Sequence, residues 1–565
     1  MRQKEWHNHN VSPVHEYLTP KSFLGEEDAN DEWAQKRKPI NIFLHTESYE
    51  TFAQPNCIFL FGRRGTGKTA MMRMLQYEAT TECRSDYSCA YILSEEDAYH
   101  QLATHLRMSP LSSLPHPELV YQLSGKWMWI IMVGAMMGVV AAHKDKKISE
   151  VDRDIALIKK YLDFSISESA RTIAPNRIIC PISRVLGVVT EELNNIDYSP
   201  TKVGSALLKI TRRLYSPDYE EACQVLSRVL EKSKGFCLVM IDSIELYNLG
   251  DNIAKAVITA LMDAARKIYT LRNTSRVVAK VAFPSEIYPY LSAVNQEKVE
   301  GKNVFILWRY KDLVSLLAKR YMQLIEKNAS VDVFKDLDNY TLAREYLYKY
   351  LPLKIRSTTD VEFDTLAYII RHTHKKPRQV ILLFNIMLTI AEKSGSDIRN
   401  ISPEMVKNGI HSRLDILVKG TLDMYLAICP QIEALVKRAL TSTPSVFDYS
   451  TLDQHMQEIH SLRDSVGIGA EEVKRLFLES GVIGVKDSRH NLPTGNKVLL
   501  VGLFEYQVKG TLILTNRSTC VIHPMFYQEL LTDIDKYIFV YPMPAEDEER
   551  EVLTEAGIVL GRTLS

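Results

Sequence analysis

The sequence has no excess of either charge. Its 69 Lys and Arg stand against 69 Asp and Glu in 565 residues, so no chain-wide field holds DNA, RNA or an anionic lipid surface, and any nucleic-acid contact must come from a local patch. Cysteine is sparse: the eight cysteines are scattered without a C-x-x-C pair. That excludes a disulfide framework or a thiolate zinc site and suits buried thiols in a reducing compartment. The first residues, MRQKEWHNHN, hold no apolar run of the secretory type, so a cytoplasmic location is expected. There is no internal repeat, no low-complexity tract, and no H-E-x-x-H or G-x-S-x-G pattern. The contiguous His7-Asn8-His9 cannot reproduce a spaced metal site, and the tyrosines form no stripe for base stacking.

What is present is an ordinary globular composition, 46% hydrophobic and 24% charged, which at roughly 150 residues per domain predicts three or four domains. One apolar stretch, Trp127 to Ala142, carries no formal charge. As a helix it would span roughly 24 Å, short of the roughly 30 Å hydrocarbon layer. It also lies between strands that must share one side of any membrane, so a buried core helix and no membrane partner are expected.

Continuous apolar runs at Cys57–Phe61, Cys89–Leu93, Phe236–Ile241 and Val277–Phe283 predict a parallel sheet covered on both faces, making residues 53–300 an α/β core. The roughly 140 residues between the second and third runs far exceed an ordinary connection and read as a helical insertion at about 96–230. Residues 1–52, with Pro13, Pro20 and Pro39, read as a polar, irregular N-terminal segment. Residues 301–425 read as a helical lid, with Leu313, Leu316, Leu317 and Tyr321 on one face. Residues 426–540 read as a winged-helix-like domain: a helix over Ala470–Leu478 stopped by Gly481, then a ribbon of Lys497–Tyr506 and Gly510–Thr515 around Gln507-Val508-Lys509. A tail at 541–565 carries the acidic run Glu546-Asp547-Glu548-Glu549.

The chemistry concentrates at Gly62-Arg63-Arg64-Gly65-Thr66-Gly67-Lys68-Thr69, a full G-x-x-x-x-G-K-[ST] match between a predicted strand and a predicted helix. Its glycines let backbone N–H groups converge on phosphate oxygens at the positive end of a helix. Lys68 would reach the β- and γ-phosphates, and Thr69 would place its hydroxyl on Mg²⁺. Asp242, ending the apolar run Leu238–Ile241, would hold the same ion. The residue after it is Ser243 rather than a glutamate, so Glu245 is the candidate general base, or else the cap of a helix beginning there. Ser285, beyond the fourth strand, is either a polar group near the γ-phosphate or a plain helix N-cap. The run Arg371-His372-Thr373-His374-Lys375-Lys376-Pro377-Arg378 is the densest basic stretch. Such runs usually solvate a face, and Arg378 is the residue here placed to reach phosphates from the lid.

The order of GRRGTGKT, the IDSIE pattern, Trp308 with Leu313, Leu316, Leu317 and Arg320, and KPRQVILLFN resembles bacterial P-loop ATPases of the AAA+/STAND type, over about residues 40–530. These are related to the origin-recognition clade and often encoded in antiphage defence loci. The resemblance implies an α/β P-loop NTPase (AAA+/STAND-like) core with a lid and C-terminal winged helix. It implies an extended Walker B motif at Asp242 and Glu245, a sensor 1 at Ser285 and a sensor 2 at Arg378. No arginine finger can be placed, since Arg272, Arg276 and Arg320 all stay open, and the insertion has no counterpart in a minimal AAA+ core.

The leading expectation is an ATP-binding and ATP-hydrolysing switch, using ATP and Mg²⁺, that controls its own assembly into a homo-oligomer or a partner effector. Antiviral defence is the context that the resemblance implies. One alternative is a DNA-binding initiator- or loader-like ATPase in which the Lys375-Lys376 region and the winged helix, with its thinly spread Lys486, Arg489, Lys497 and Lys509, grip duplex. The other is a non-hydrolysing scaffold with structural nucleotide.

Overall fold

Four apolar runs and one short added strand assemble into one parallel sheet: β1 (Phe59–Phe61), β2 (Tyr87–Leu93), β3 (Phe236–Ile241), β4 (Val277–Phe283) and β5 (Asn303–Phe305), in the order β2-β3-β4-β1-β5. The computed structural model describes residues 20–26, 28–34, 39–81, 84–93, 104, 106–107, 110–143, 153–162, 181–193, 200–242, 252–290, 301–326, 329–356, 362–426, 428–459, 469–494, 497–507, 512–535 and 538–542. Glu245, the cluster Lys36-Arg37-Lys38 and the acidic run at 546–549 lie outside them.

β3 and β4 have the expected bounds, whereas β1 starts at Phe59 and the short β5 was not expected. Strand residues alternate between two packed faces, which is why the runs are apolar throughout. Phe59, Phe61, Val239, Ile241, Val281 and Phe283 pack to one side, while Leu60, Leu238, Met240, Val278 and Ala282 pack to the other.

The second side is covered by α1 (Ala29–Ala34), α2 (Glu47–Ala53) and α3 (Lys68–Thr80). The chain before residue 50 is therefore not all irregular. Thr46 caps α2 by accepting the Tyr49 N–H, and Tyr49 and Phe52, three residues apart on one face, are fully buried. The first side is covered by α4 (His116–Ala142), with α5 (Pro181–Leu193), α6 (Pro200–Leu214) and α7 (Pro217–Ser233) packed around it, and by α8 (Asn252–Ser275). The apolar stretch Trp127–Ala142 lies in α4. By length and composition this helix could cross a membrane, yet Trp127, Ile131, Met136 and Val139 are buried against the sheet layer. Gly134 and Gly138, one turn apart, allow the close approach: a Cβ would lie 3.3 Å from Val239 Cγ1 at the first and 3.2 Å from Tyr91 Cβ at the second.

A buried lysine ties the two ends of this layer. Lys280, in β4 and fully buried, donates to the carbonyls of Phe52 (2.5 Å), Gln54 (2.7 Å) and Cys57 (2.7 Å), satisfying the C-terminal end of α2 and the approach to β1.

Beyond β5 the chain is mainly helical: α9 (Tyr310–Ile325), α10 (Val331–Asp336), α11 (Tyr340–Leu347), the hairpin β6 (Lys354–Arg356) and β7 (Glu362–Asp364), α12 (Thr365–Ile370), α13 (Pro377–Lys393), α14 (Pro403–His411) and α15 (Leu414–Leu422). Then follow α16 (Ile432–Leu440), β8 (Val446–Asp448), α17 (Tyr449–Glu458), α18 (Ala470–Glu479), β9 (Ile483–Thr494), β10 (Lys497–Leu503), β11 (Thr519–Ile522) and β12 (Ile538–Pro542). These last five strands form a second sheet ordered β12-β10-β9-β11-β8. Its ribbon is β9–β10, antiparallel, and not the expected pair Lys497–Tyr506 with Gly510–Thr515. Its register pairs Thr494 with Lys497 and Leu492 with Leu499, so the polar composition of β9 does not prevent pairing. Helices α9 to α18 and the inner face of this sheet share one continuous apolar core, which also takes in Leu24 and Ile42.

Candidate functional site

The glycine loop runs from β1 into α3. Gly65 (φ +84°) and Gly67 (φ +94°) are left-handed, a conformation that glycine adopts without penalty. Gly67 caps α3 without a side chain, leaving the first N–H groups of the helix facing the loop. Inside the loop, Thr66 donates to the Arg63 carbonyl from both its N–H (3.1 Å) and its hydroxyl (2.7 Å). Lys68, 5% exposed, donates to the carbonyls of Gly62 (2.9 Å) and Arg63 (3.4 Å). Arg64 is exposed, and Thr69 is half-buried at the start of α3.

The sheet order brings Ser285 here. Because β1 pairs with β4, the Gly62 N–H donates to Phe283 O (3.1 Å) and the Ser285 N–H donates to Gly62 O (3.3 Å). Asp242 directly follows β3, the strand next to β4, and is 2% exposed. Glu245 lies outside the described residues.

The helical part closes on the loop from above. Trp308 donates its indole N–H to Thr66 O (2.8 Å), and the Arg378 N–H donates to Gly65 O (3.4 Å). A Cβ on Gly65 would lie 3.2 Å from Arg378 Cβ, so the two segments are in contact. The Arg378 guanidinium lies 3.5 Å from the Asp28 carboxylate.

The basic run does not solvate a face, and Lys375 and Lys376, expected to grip duplex in the DNA-binding alternative, are not on the surface. Arg371, His372, His374, Lys375 and Lys376 are all buried, the most exposed at 7%. His374 stacks on Tyr506 with centroids 4.4 Å apart and meets His523 edge-on at 4.7 Å. Arg371 donates to Val540 O (3.2 Å). Burial pushes His372, His374 and His523 well below the ordinary imidazole value, so these rings are neutral. Lys376 is pushed down to about 7 by burial and then by the neighbouring cations Arg63, Lys68 and Arg378, while Glu286 works the other way.

Sequence reasoning gave no site role to Lys376 or Glu286, and placed Arg63 in the loop without its contact to the C-terminal part. Lys376 sits at the N-cap of α13 ahead of Pro377, and that Lys-Pro step was the available signal, since proline favours the first helical position. Glu286, next to Ser285, has both carboxylate oxygens buried and without a hydrogen-bond partner among the described residues. Arg63 reaches out of the loop to Glu479 O (2.7 Å), an atom that also accepts from Tyr425 Oη (2.6 Å). Burial lowers the Arg63 guanidinium, but Tyr425, Glu286, Glu505 and Glu479 outweigh it and hold it above its ordinary value. No signal in the sequence announces that contact.

Residues 27–108, which contain β1, the glycine loop, α3 and β2, match the family model described as ORC-CDC6-like. Among solved structures, Cdc6p from Pyrobaculum aerophilum is similar over 90% of this chain and 95% of that one, at 10% identity and a TM-score of 0.29. The Aeropyrum pernix ORC2 protein in its ADPNP-ADP complexes is similar over 95% and 98%, at 8% identity and a TM-score of 0.34. Drosophila ORC bound to DNA is similar over 91% and 92%, at 10% identity and a TM-score of 0.25. These likenesses are too distant to locate any residue's role. No curated protein matches the chain.

Proposed function

We propose that the chain is an ATP-binding and ATP-hydrolysing switch of the AAA+ type, in which nucleotide on the glycine loop sets the position of the helical lid and of a winged-helix-like C-terminal part built from α16, α17, α18 and the β9–β10 ribbon. The observation that carries this reading is the junction at the loop: Lys68 on Gly62 O, the Arg378 N–H on Gly65 O and Arg63 on Glu479 O. Three parts of the chain therefore meet where phosphates would bind. The ORC-CDC6-like match over 27–108 supports the same reading.

The residues fit a magnesium ion. Thr69 is the second residue of α3 and the buried Asp242 directly follows β3, and Mg²⁺ needs only one or two protein oxygens when phosphates and waters complete its shell. Thr69 and Asp242 would hold it, and its charge would neutralise that of the β- and γ-phosphate oxygens. Lys68 exchanges its loop carbonyls for phosphate oxygens, Ser285 senses the terminal phosphate through its tie to Gly62, Arg378 closes from the lid, and Glu245 takes a proton from the attacking water. The output is assembly with further copies or control of a partner effector; a defence setting rests on the resemblance alone. The ORC-CDC6-like match favours a second reading, initiator-like binding of duplex DNA through the β9–β10 ribbon, for which affinity should fall steeply with salt.

ATP turnover and particle mass of the wild type, Lys68→Ala and Glu245→Gln, with and without duplex DNA, test these readings. Turnover lost in both variants with ATP-dependent assembly supports the switch. Turnover stimulated by DNA moves the balance to the second reading, and retained nucleotide with no turnover in any sample leaves a scaffold.

A further inference from the structure

Charge is balanced over the whole chain, but not over its surface. Helix α6 carries Lys202, Lys209, Arg212 and Arg213 and no acidic residue. Its inner side chains, among them Val203, Leu207 and Ile210, are buried, which leaves Lys202, Ser205, Leu208, Lys209 and Arg212 on the outer face. From Lys202 to Arg212 that face runs about 15 Å. Arg213 turns to Glu191 (2.7 Å) and Glu192 (2.9 Å), whereas among the described residues no carboxylate pairs with Lys209 or Arg212. Like charges this close on one helix repel each other. Between the cations stands Leu208, 62% exposed.

The opposite sign gathers on α17 and α18. The ammonium of the buried Lys474 bonds Asp453 (2.6 Å) and Glu471 (2.8 Å), so one carboxylate from each helix is held at a single point. The outer face of α18 shows Glu471, Glu472 and Arg475, and Arg475 is tied to Glu479 at 2.5 Å. Glu458, at the end of α17, is exposed as well, and among the described residues no cation pairs with Glu458 or Glu472. A helix that reads duplex DNA sets its N-terminal residues into the groove. In α18 those residues are Glu471 and Glu472, which phosphates repel. This face suits a cationic protein surface.

We infer that the outer face of α6 in one copy docks on the α17–α18 face of a second copy. Both signs stand on one chain without net charge, so each copy brings the complement of both faces. The two faces differ, and the contact is therefore head to tail, continuing from copy to copy until a ring closes or a filament grows. Leu208 gives the contact an apolar centre, and the cations around it set orientation and encounter rate. This inference rests on the assembly branch of the function proposed above, and it makes α18 a protein contact rather than a DNA reader.

The test is sedimentation of the full chain without nucleotide and with a non-hydrolysable ATP analogue, at low and high salt. The variants are Lys209→Glu with Arg212→Glu, and Glu458→Lys with Glu472→Lys, each melted to check its fold. Wild-type self-association should weaken at least about tenfold between roughly 0.05 and 0.5 M salt. Each variant alone should stay monomeric where the wild type assembles. An equal mixture of the two should assemble again, as should one chain carrying all four substitutions, because every reversed face then meets its complement. Assembly that neither variant weakens, or a loss that the mixture does not restore, overturns the assignment of the faces. So does duplex DNA binding that is abolished by Lys209→Glu with Arg212→Glu while assembly survives, since α6 would then be a phosphate contact. If the α17–α18 variant melts early, the α6 variant and the salt series still decide. A wild type that stays monomeric at low salt in both nucleotide states sinks this inference and the assembly branch together, and ATP turnover in the same samples shows whether the ATPase reading stands without them.

Discussion

The guanidinium of Arg63, a residue of the glycine loop, donates to the main-chain oxygen of Glu479, 2.7 Å away at the end of α18. The same Arg63 offers its own carbonyl to Thr66 and Lys68. One residue therefore touches the lysine that would meet phosphate and the helix end that borders the second sheet. Just beyond it, Gly481 (φ +71°) terminates α18, with its N–H on Leu478 O and the Val482 N–H on Phe477 O. A Cβ there would come within 2.9 Å of His374 Cε1.

Replacing Arg63 by Ala should cost roughly 2 kcal/mol, the worth of a hydrogen bond from a charged, partly buried group. It should also disconnect the loop from α18. Hydrogen exchange at Gly481 and Val482 is expected to respond to nucleotide in the wild type and to lose that response in Arg63→Ala. A response that survives the substitution would show that the signal travels by another route.

Glu78 gives the fold an acid-sensitive point. Burial works against its charge, but His45 Nε2 (2.9 Å), Arg84 Nε (2.5 Å) and Tyr49 Oη (2.7 Å) bond the carboxylate and hold it down to about 2 from an ordinary 4.5. The folded value lies below the unfolded one. The stabilisation is therefore present in full above pH 4.5 and is lost as pH falls toward 2, a contribution on the order of 3 kcal/mol. Urea unfolding of Glu78→Gln should show a deficit against wild type that is largest at neutral pH and shrinks in acid; a deficit constant with pH would contradict this.

Lys280 is pushed down to about 7 by burial, yet its three carbonyl acceptors demand three N–H donors, which only the ammonium supplies. The charge therefore stays. Lys280→Met should cost about 3 kcal/mol, because three carbonyls, those of Phe52 and Cys57 buried, lose their donor at once. Equilibrium denaturation checks this, and an unchanged midpoint would mean that water replaces the lysine.

The sequence made β3 and β4 legible because both are apolar from end to end, and it made the loop legible because its residue types follow from phosphate geometry. It hid β5, three residues that begin with Asn303 and show no period. It also misplaced the ribbon, since the polar Arg489-His490-Asn491 and Pro493 of β9 do not read as a strand, while Gly510–Thr515 does. The burial of the basic run was invisible for a different reason. The surfaces that cover it, Tyr506, His523 and Val540, come from more than a hundred residues further along the chain, and local charge density says nothing about such partners. Arg378 was found because it follows a recognisable Lys-Pro step; Lys376, within that step, was read as part of a solvated or duplex-gripping run.

The single apolar core shared by the lid and the C-terminal part has a consequence for anyone who wants to cut or exchange pieces of this chain. Leu422, Tyr425, Ile432, Leu435 and Phe526 belong to that one core. A truncation near residue 425 would leave no finished surface: it would bare an apolar face on the lid and remove Glu479, the anchor of Arg63, from the glycine loop. The C-terminal part is thus not a cassette that can be traded for another reader module, and a chimera would have to import the lid with it.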